Sequence, residues 1–217
     1  AALGEIDRAE AVLDRFVPRP PEPPGYAETI MSLRWARGEH DGALAWIEGP
    51  GARMVQEPWR GVLRARALAQ VGRRDEALAL YRERFSDPGN RDMLATSSYA
   101  LHLGLGEIAN WVVLERESGG DGAEGLAYFQ GRIATMTRGG FGLPVLDYYR
   151  AVDAALRGDV AAADVALGAA IAGGWLDPIT LDTDLVWRPI AGAEWFVRRR
   201  AELDAAIAAQ REAIARG

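Results

Sequence analysis

The chain has 217 residues, of which 49% are hydrophobic and 26% charged, a composition typical of a globular protein. It contains no cysteine and all 25 basic residues are arginine, which excludes disulfides, thiol catalysis and Schiff-base chemistry on lysine. The formal net charge of −6 argues against binding to nucleic acid or to an anionic membrane surface.

In chain order, the pattern predicts a helix over 3–16 and an extended, proline-rich connector over 18–25. Three pairs of helices are predicted next: 26–37 and 40–48, 58–71 and 74–85, and 91–103 and 107–117. A single helix over 123–137 follows, and then a last pair, 144–157 and 160–172. No segment shows sustained alternation of β-branched residues, so we expect an all-α fold. Glycine-rich stretches flank the single helix. We therefore predict helical repeats over 1–173, with an irregular insert at about 118–143.

A glycine recurs every 34 residues, at Gly4, Gly38 and Gly72, and the series continues to Gly106. An alanine follows five residues after each of the first three glycines, and a similar segment begins at Gly158. Glycine supplies the left-handed residue that ends many helices, and alanine lets two helices pack closely. The spacing therefore predicts pairs of antiparallel helices joined by glycine turns.

These segments resemble the tetratricopeptide repeat (TPR), a 34-residue helical hairpin. The family's small residue is matched by Ala9, Ala43, Ala77 and Ala163, and its larger residue by Leu13, Ile47, Tyr81 and Leu167. The first-helix consensus of tryptophan, leucine and glycine is poorly kept. The resemblance implies an α-α superhelix of antiparallel hairpins that ends in a C-terminal capping helix.

Residues 174–217 leave the repeat pattern, with an aromatic turn segment followed by a last helix at about 192–216. This tail resembles the closing segment of TPR regions in bacterial transcriptional regulators and nucleotide cyclases. The matching positions are Asp184, Leu185, Pro189, Ile190 and Phe196. We expect a lid over the end of the repeats, formed by Trp175, Trp187, Trp195 and Phe196. We expect the last helix to be a docked cap, with a dimerisation helix or a connector as the alternative.

We predict no catalytic residue, no cofactor and no metal site. The two histidines are not placed to share a metal, and no zinc-binding spacing occurs. The stretch 104–109 matches a dinucleotide fingerprint, but that motif needs a preceding strand where the pattern here predicts a helix. The strongest basic cluster, 198–200, has acidic neighbours, which favours a solvated helix face over a nucleic-acid patch.

The resemblance also implies a concave groove lined by the first helix of each hairpin. The family positions that face this groove predict the partner-binding residues Glu28, Ser32, Trp35, Trp59, Arg66, Gln70 and Thr96. Tryptophan and arginine are enriched in interface hot spots, whereas ordinary hairpin packing is the alternative for them. The family's carboxylate clamp is disfavoured, because the chain has no lysine and carries Glu28 and Ser32 where the clamp would begin.

Together these features predict a non-catalytic protein-interaction or sensory domain with a protein or peptide partner in the groove. Because the chain opens inside a hairpin, we expect it to belong to a larger bacterial signalling or regulatory protein. The alternative is a self-associating scaffold, for example a homodimer, and an enzyme built on the insert is the least favoured hypothesis. The compartment stays open: the cytoplasm is slightly favoured, and the periplasm would suit a membrane-anchored regulator.

Overall fold

The computed structural model describes residues 11–12, 24–91, 101–140 and 142–216. These residues form helices, turns and connecting segments, without a β-strand among them. The predicted all-α fold class is therefore confirmed for the described part of the chain. None of the described helices is both long enough and apolar enough to cross a membrane.

The helices are numbered here in chain order. The first five are α1 (Pro24–Ala36), α2 (His40–Glu48), α3 (Gly51–Met54), α4 (Trp59–Gln70) and α5 (Arg74–Phe85). The next four are α6 (Leu101–Glu117), α7 (Ala123–Arg138), α8 (Pro144–Leu156) and α9 (Val160–Ala172). The last elements are α10 (Pro178–Thr183), a 3₁₀ helix (Leu185–Ile190) and α11 (Glu194–Arg216). The predicted bounds of α1, α2, α4, α5, α7, α8, α9 and α11 agree with these to within two residues.

Three glycines in the left-handed region join consecutive helices, with φ of +74° at Gly38, +83° at Gly72 and +75° at Gly158. In each turn the residue after the glycine donates its N–H to a carbonyl five residues earlier. These bonds join Glu39 to Arg34 at 2.8 Å, Arg73 to Leu68 at 2.9 Å and Asp159 to Ala154 at 2.9 Å. This is the Schellman arrangement, which satisfies carbonyls that the end of a helix leaves free. The predicted glycine caps are confirmed at these three positions, and Gly4 lies outside the described residues.

The turn predicted near Gly104 and Gly106 is wrong. Helix α6 runs through both glycines without a break, so the predicted helices 91–103 and 107–117 do not meet in a hairpin there. A glycine inside a helix costs only about 1 kcal/mol, and burial of neighbours such as Leu105 and Ile108 on the same helix outweighs that cost. The dinucleotide-type spacing also lies inside this helix and forms no strand-to-helix turn.

The chain divides into two compact units. The first contains the described residues of Leu3–Glu107, together with Leu114–Gly120. In this unit α1 packs on α2, α2 on α4, and α4 on α5. The alanines that follow the glycine turns, Ala43 and Ala77, are fully buried, as close helix packing requires.

The second unit contains Ile108–Val113 and the described residues of Asp121–Gly217. Here α7 packs on α8, α8 on α9, and α9 on α11. Ala163 and Leu167 are fully buried at the same offsets from their glycine as in the first unit. The two compact units are defined by contacts in the folded chain. The boundary predicted at residue 173 is instead the point where the repeat pattern ends, and it stays a prediction.

Candidate functional site

The structure describes six of the seven predicted groove residues, and Thr96 lies outside the described residues. Three side chains are half-buried: Glu28, Ser32 and Gln70. The other three are buried, with exposed fractions of 5% for Trp35, 8% for Trp59 and 5% for Arg66. The burial of these three side chains agrees with ordinary packing between the helices of a hairpin, the alternative to groove binding. A partner-binding role for any of the six stays a prediction.

Arg66 lies in a buried polar cluster of the first unit. Its guanidinium carbon lies 5.0 Å from the centre of the Trp35 ring, and its Nη1 donates to Oε1 of Glu107 at 3.2 Å. The hydroxyl of Tyr81 donates to Oε2 of the same carboxylate, which has no exposed surface. A buried charge is costly unless it is paired and hydrogen-bonded, so the cluster explains how an arginine lies in this core. Sequence reasoning missed Glu107, because it lies 41 residues from Arg66.

A second buried cluster, in the second unit, is centred on Tyr148. The Tyr148 hydroxyl donates to Oδ2 of Asp184 at 2.6 Å and accepts from Nε1 of Trp187 at 3.0 Å. The Trp175 ring stacks on Tyr148, with ring centres 4.1 Å apart. Burial raises the pKa of Tyr148 well above its usual value near 10, and the charge and hydrogen bond of Asp184 act in the same direction. The phenolate form of Tyr148 is therefore disfavoured in the folded protein.

The aromatic residues predicted to form a lid come together in this second unit. The ring of Trp187 lies 5.4 Å from that of Phe196 and 6.4 Å from that of Trp195, measured between centres. The start of the adjacent 3₁₀ helix is held by Asn110 of α6, whose Oδ1 accepts the backbone N–H of Leu185 at 2.9 Å. This packing suits a cap on an apolar core. Closure of the end of a superhelix stays a prediction.

The arginine run 198–200 anchors the last helix. Nη2 of Arg198 and Nε of Arg199 donate to the two oxygens of Asp164 on α9, at 2.7 and 2.6 Å. Arg199 also donates to Glu202 at 2.7 Å, and Arg200 pairs with acidic side chains of α10 and α11. The sequence predicts a solvated helix face for this cluster. The Arg198 side chain is 49% exposed, but that of Arg199 is only 21% exposed, and the run bonds to other helices. The expected docking of the last helix is seen at α9.

The first unit contains an open pocket of about 440 Å³, which we call the Arg84 pocket. It lies among α2, α3, α4 and α5. Its apolar lining consists of Ile47, Ala52, Gly61 and Leu80, and its charged lining of Glu48, Glu57, Glu83, Arg60, Arg64 and Arg84. Sequence reasoning missed this pocket, because each charged residue has the spacing of an ordinary solvated helix face. Only the packing of four helices brings three arginines and three glutamates together.

Glu57 accepts two hydrogen bonds in the Arg84 pocket. Its Oε1 accepts from Nε of Arg60 at 3.0 Å and lies 2.8 Å from Nη2 of the same guanidinium. Its Oε2 accepts the backbone N–H of Gly61 at 3.0 Å. Arg60 in turn donates from Nη1 to the carbonyl oxygen of Ala52 at 3.0 Å. The Glu57 and Arg60 side chains are therefore held in place by the protein itself.

Arg84 differs from Arg60 in its hydrogen bonds. Its Nη2 lies 3.4 Å from carboxylate oxygens of both Glu57 and Glu83, without the geometry of a hydrogen bond. Its Nε is buried and has no acceptor among the described residues. The side chain lies against Gly61, where a Cβ would lie only 2.9 Å from Cδ of Arg84. Arg84 therefore lines the pocket but donates no hydrogen bond to any described residue.

Among the described residues, no group of three histidine, aspartate or glutamate side chains is placed to hold a metal ion. Comparison of the chain with protein-family models, with curated proteins and with solved structures finds no match. The resemblance to TPR proteins therefore rests on the repeated residues and on the hairpins that they form. The function has to be argued from those hairpins and from the Arg84 pocket.

Proposed function

We propose that this chain is a non-catalytic, protein-binding module built from TPR-like helical hairpins. The observation that carries the proposal is one hairpin design that recurs in α1–α2, α4–α5 and α8–α9. Each turns at a left-handed glycine and buries an alanine five residues later and a large side chain four residues after that. The first two glycines are 34 residues apart, the period of the family. Stacked hairpins of this kind present extended surfaces that suit protein partners.

The Arg84 pocket supports binding rather than catalysis. Its lining combines arginines and glutamates with an apolar floor, and it includes no serine, histidine or other residue suited to act as a nucleophile with a partner base. Its volume lies in the range of ligand-sized pockets and is large enough for one or two side chains of a partner.

The tail supports a place in signalling. Its aromatic cluster and its docked last helix agree with the order of elements in the TPR regions that it resembles. We therefore propose a sensory or interaction role within a larger bacterial signalling or regulatory protein.

An unbiased binding selection tests the proposal. Random peptides displayed on phage are selected on the immobilised chain, and the enriched peptides are synthesised and measured by isothermal titration calorimetry. We expect a common sequence pattern and a measurable dissociation constant. If the predicted groove is used, Gln70→Arg weakens binding, while the control Gln210→Arg, at an exposed position of α11, does not. Failure to enrich any pattern, or equal binding to the unfolded chain, would overturn the proposal.

Self-association is the second candidate, favoured by apolar side chains that the second unit exposes. Val165 on α9 is 71% exposed and Ile214 on α11 is 56% exposed. Sedimentation equilibrium of the chain at tens of micromolar decides between the two candidates. A dimer or larger assembly supports the scaffold, and a monomer eliminates it.

A further inference from the structure

We propose that the Arg84 pocket binds an acidic side chain, aspartate or glutamate, of a protein or peptide partner. The inference rests on the proposed function, since it names the chemistry that a partner presents at one site of the first unit. It is independent of the six predicted groove residues that the structure describes, none of which lines the pocket.

The first argument is the unused donor capacity of Arg84. A guanidinium carries five N–H donors in a planar fork that matches the two oxygens of a carboxylate. The nearest carboxylate oxygens lie 3.4 Å from its Nη2, in poor geometry, and a buried donor without an acceptor is unfavourable. Because Nε is shielded, a carboxylate that enters the pocket meets the end that carries Nη1 and Nη2. Such a ligand supplies the acceptors that the protein does not.

A second guanidinium lines the same pocket. Arg64 donates from Nε to Oε1 of Glu48 at 2.8 Å, and no described residue accepts a hydrogen bond from its two terminal nitrogens. Its side chain is 39% exposed, so these donors are accessible. Two arginines on neighbouring helices, α4 and α5, thus present free donors to one cavity.

The glutamates of the pocket leave room for one further carboxylate. Glu57 is held by Arg60 and by the N–H of Gly61, and Glu48 is held by Arg64. The Glu83 side chain is 62% exposed and reaches Arg84 only at 3.4 Å, so an incoming carboxylate competes mainly with this side chain. Three negative charges already line the pocket. A dianionic phosphate is therefore less well matched than a carboxylate with a single charge.

The apolar lining of the pocket and the net charge of the chain indicate two further properties of the ligand. Ile47, Ala52 and Leu80 offer an apolar surface to the methylene groups of the acidic residue and to one apolar neighbour of it. The whole chain carries a net charge of −6, which opposes the approach of acidic ligands, so the attraction must be local. The binding should accordingly be of modest affinity and should weaken as salt is added.

The test uses the peptides that emerge from the unbiased selection, on the full chain. The best peptide is made with an amidated C-terminus in three forms: unchanged, with its acidic residues replaced by their amides, and with them replaced by phosphoserine. Each form is titrated into the wild-type chain and into Arg84→Gln, Arg84→Lys and Arg64→Gln. The matched control is Arg73→Gln, which removes an exposed arginine that pairs with Glu76 in the same unit and outside the pocket.

We expect the selected peptides to be acidic, and the amide form to bind about tenfold more weakly than the unchanged form. Arg84→Gln should cause a similar loss, while Arg84→Lys recovers only part of the binding because it lacks the planar fork. The amide form and Arg84→Gln together should cost little more than either alone, since both remove the same contact. Arg64→Gln should weaken binding less, and Arg73→Gln should leave it unchanged. Circular dichroism verifies that each variant is folded, and Arg64→Gln carries the test if Arg84→Gln is not.

The outcomes separate this inference from the proposed function. Peptides that bind but are not acidic, or whose binding is unchanged in Arg84→Gln and Arg64→Gln, overturn the inference and leave the protein-binding function in place. Tighter binding of the phosphoserine form overturns the choice of a carboxylate. If no peptide is enriched at all, the protein-binding function fails and the inference falls with it.

Discussion

The hairpins α4–α5 of the first unit and α8–α9 of the second have the same turn and the same buried positions. Aligned at Gly72 and Gly158, both have a left-handed glycine, with φ of +83° and +75°. Ala77 and Ala163 follow at the same offset, and both are fully buried. Local backbone sterics and close helix contact restrict these positions to a few residue types. The same local solution therefore appears in two separate units.

The outward faces of the two second helices differ. Helix α5 exposes the charged residues Asp75, Glu76, Arg82 and Glu83. The exposed residues of α9 include the apolar Val160, Ala161, Val165 and Ala169. Solvated positions are under little packing constraint, so their chemistry is free to follow function. Of these charged residues on α5, Glu83 lines the Arg84 pocket, whereas the apolar face of α9 leaves Val165 71% exposed.

The buried polar clusters of the two units share one contact. A tyrosine hydroxyl donates to a buried carboxylate in each, from Tyr81 to Glu107 and from Tyr148 to Asp184. In the first unit the carboxylate also accepts from Arg66. A buried carboxylate with tyrosine as a donor is thus compatible with two different surroundings, one with an arginine and one rich in tryptophan.

The largest expected effect comes from breaking the charged cluster of the first unit. Glu107→Ala leaves Arg66 and Tyr81 buried without this acceptor, and we expect a loss of about 3–5 kcal/mol in the free energy of unfolding, measured by urea denaturation. The control Glu212→Ala removes a glutamate that is 71% exposed and should change stability by less than about 0.5 kcal/mol. The double variant Arg66→Met with Glu107→Leu should lose less than Glu107→Ala alone. A larger loss in the double variant would contradict the view that Glu107→Ala destabilises by removing the carboxylate that Arg66 faces.

The shared tyrosine–carboxylate contact is tested by Tyr148→Phe and Tyr81→Phe. Each removes a hydroxyl that donates to a buried carboxylate, so each should cost about 1.5–3 kcal/mol in the free energy of unfolding. Similar losses would support the parallel between the units. A loss of less than about 0.5 kcal/mol at either position would show that the contact contributes little there.

The contact between Tyr148 and Asp184 can also be tested by measuring stability at alkaline pH. Its folded-state pKa lies above the unfolded value near 10, because burial and Asp184 disfavour the phenolate. The resulting stability is fully present below about pH 10 and is lost as pH rises towards the folded-state pKa, by up to about 1.4 kcal/mol per pH unit for this group. The chain has no lysine or cysteine, so neither residue type contributes to the pH dependence in this range. Urea denaturation of Tyr148→Phe should show a flatter dependence in this range, and an unchanged slope would refute the assignment.

The two glycine turns should respond alike to a methyl group. No atom lies within 4 Å of a Cβ built at Gly72 or Gly158, so the cost of alanine is conformational and should be about 1–2 kcal/mol at both positions. Gly131→Ala in the middle of α7 is the control, since its Cβ also meets nothing within 4 Å but its backbone is helical. That change should stabilise the chain by about 0.5–1 kcal/mol. Thermal unfolding of the three variants checks the signs, and a neutral Gly72→Ala would mean that the turn is not held in the left-handed region.

The smallest effect is expected from placing a charge on the exposed apolar face of α9. Val165 is 71% exposed, so Val165→Glu should change the free energy of unfolding by no more than about 0.5 kcal/mol. Sedimentation of the wild type and the variant is the second measurement. A dimer that Val165→Glu dissociates would make this face the interface, and a dimer that survives the change would place the interface elsewhere.

Much of the local structure could be predicted from the sequence. The bounds of α2 and α5 agree with the prediction at both ends, because the residues that end a helix lie within the same few residues of chain. The glycine series failed at Gly106, where the same residue type lies inside a helix whose apolar pattern continues. Whether a glycine ends a helix depends on what the following residues bury, and the spacing alone does not carry that information.

The candidate site could not be predicted, for a related reason. Family position predicts Trp35 and Arg66 in a groove, a role that stays a prediction. It does not predict that both side chains are buried, with Arg66 against the Trp35 ring and hydrogen-bonded to Glu107. Arg84 and Glu57 looked like ordinary surface charges and line a pocket instead. Charged side chains have no periodic signature for their partners, since the partners are set by which helices pack together.

By itself the sequence determined the helical class, the positions of most helices and the three left-handed glycine turns, because these depend on interactions among near neighbours in the chain. Only the tertiary structure decided that α6 continues through its glycines, that the two buried carboxylates meet their tyrosines, and that Arg84 has unused donors in an open pocket. Those features depend on contacts between residues 20 to 40 positions apart or more, whose energies appear only when the helices are packed.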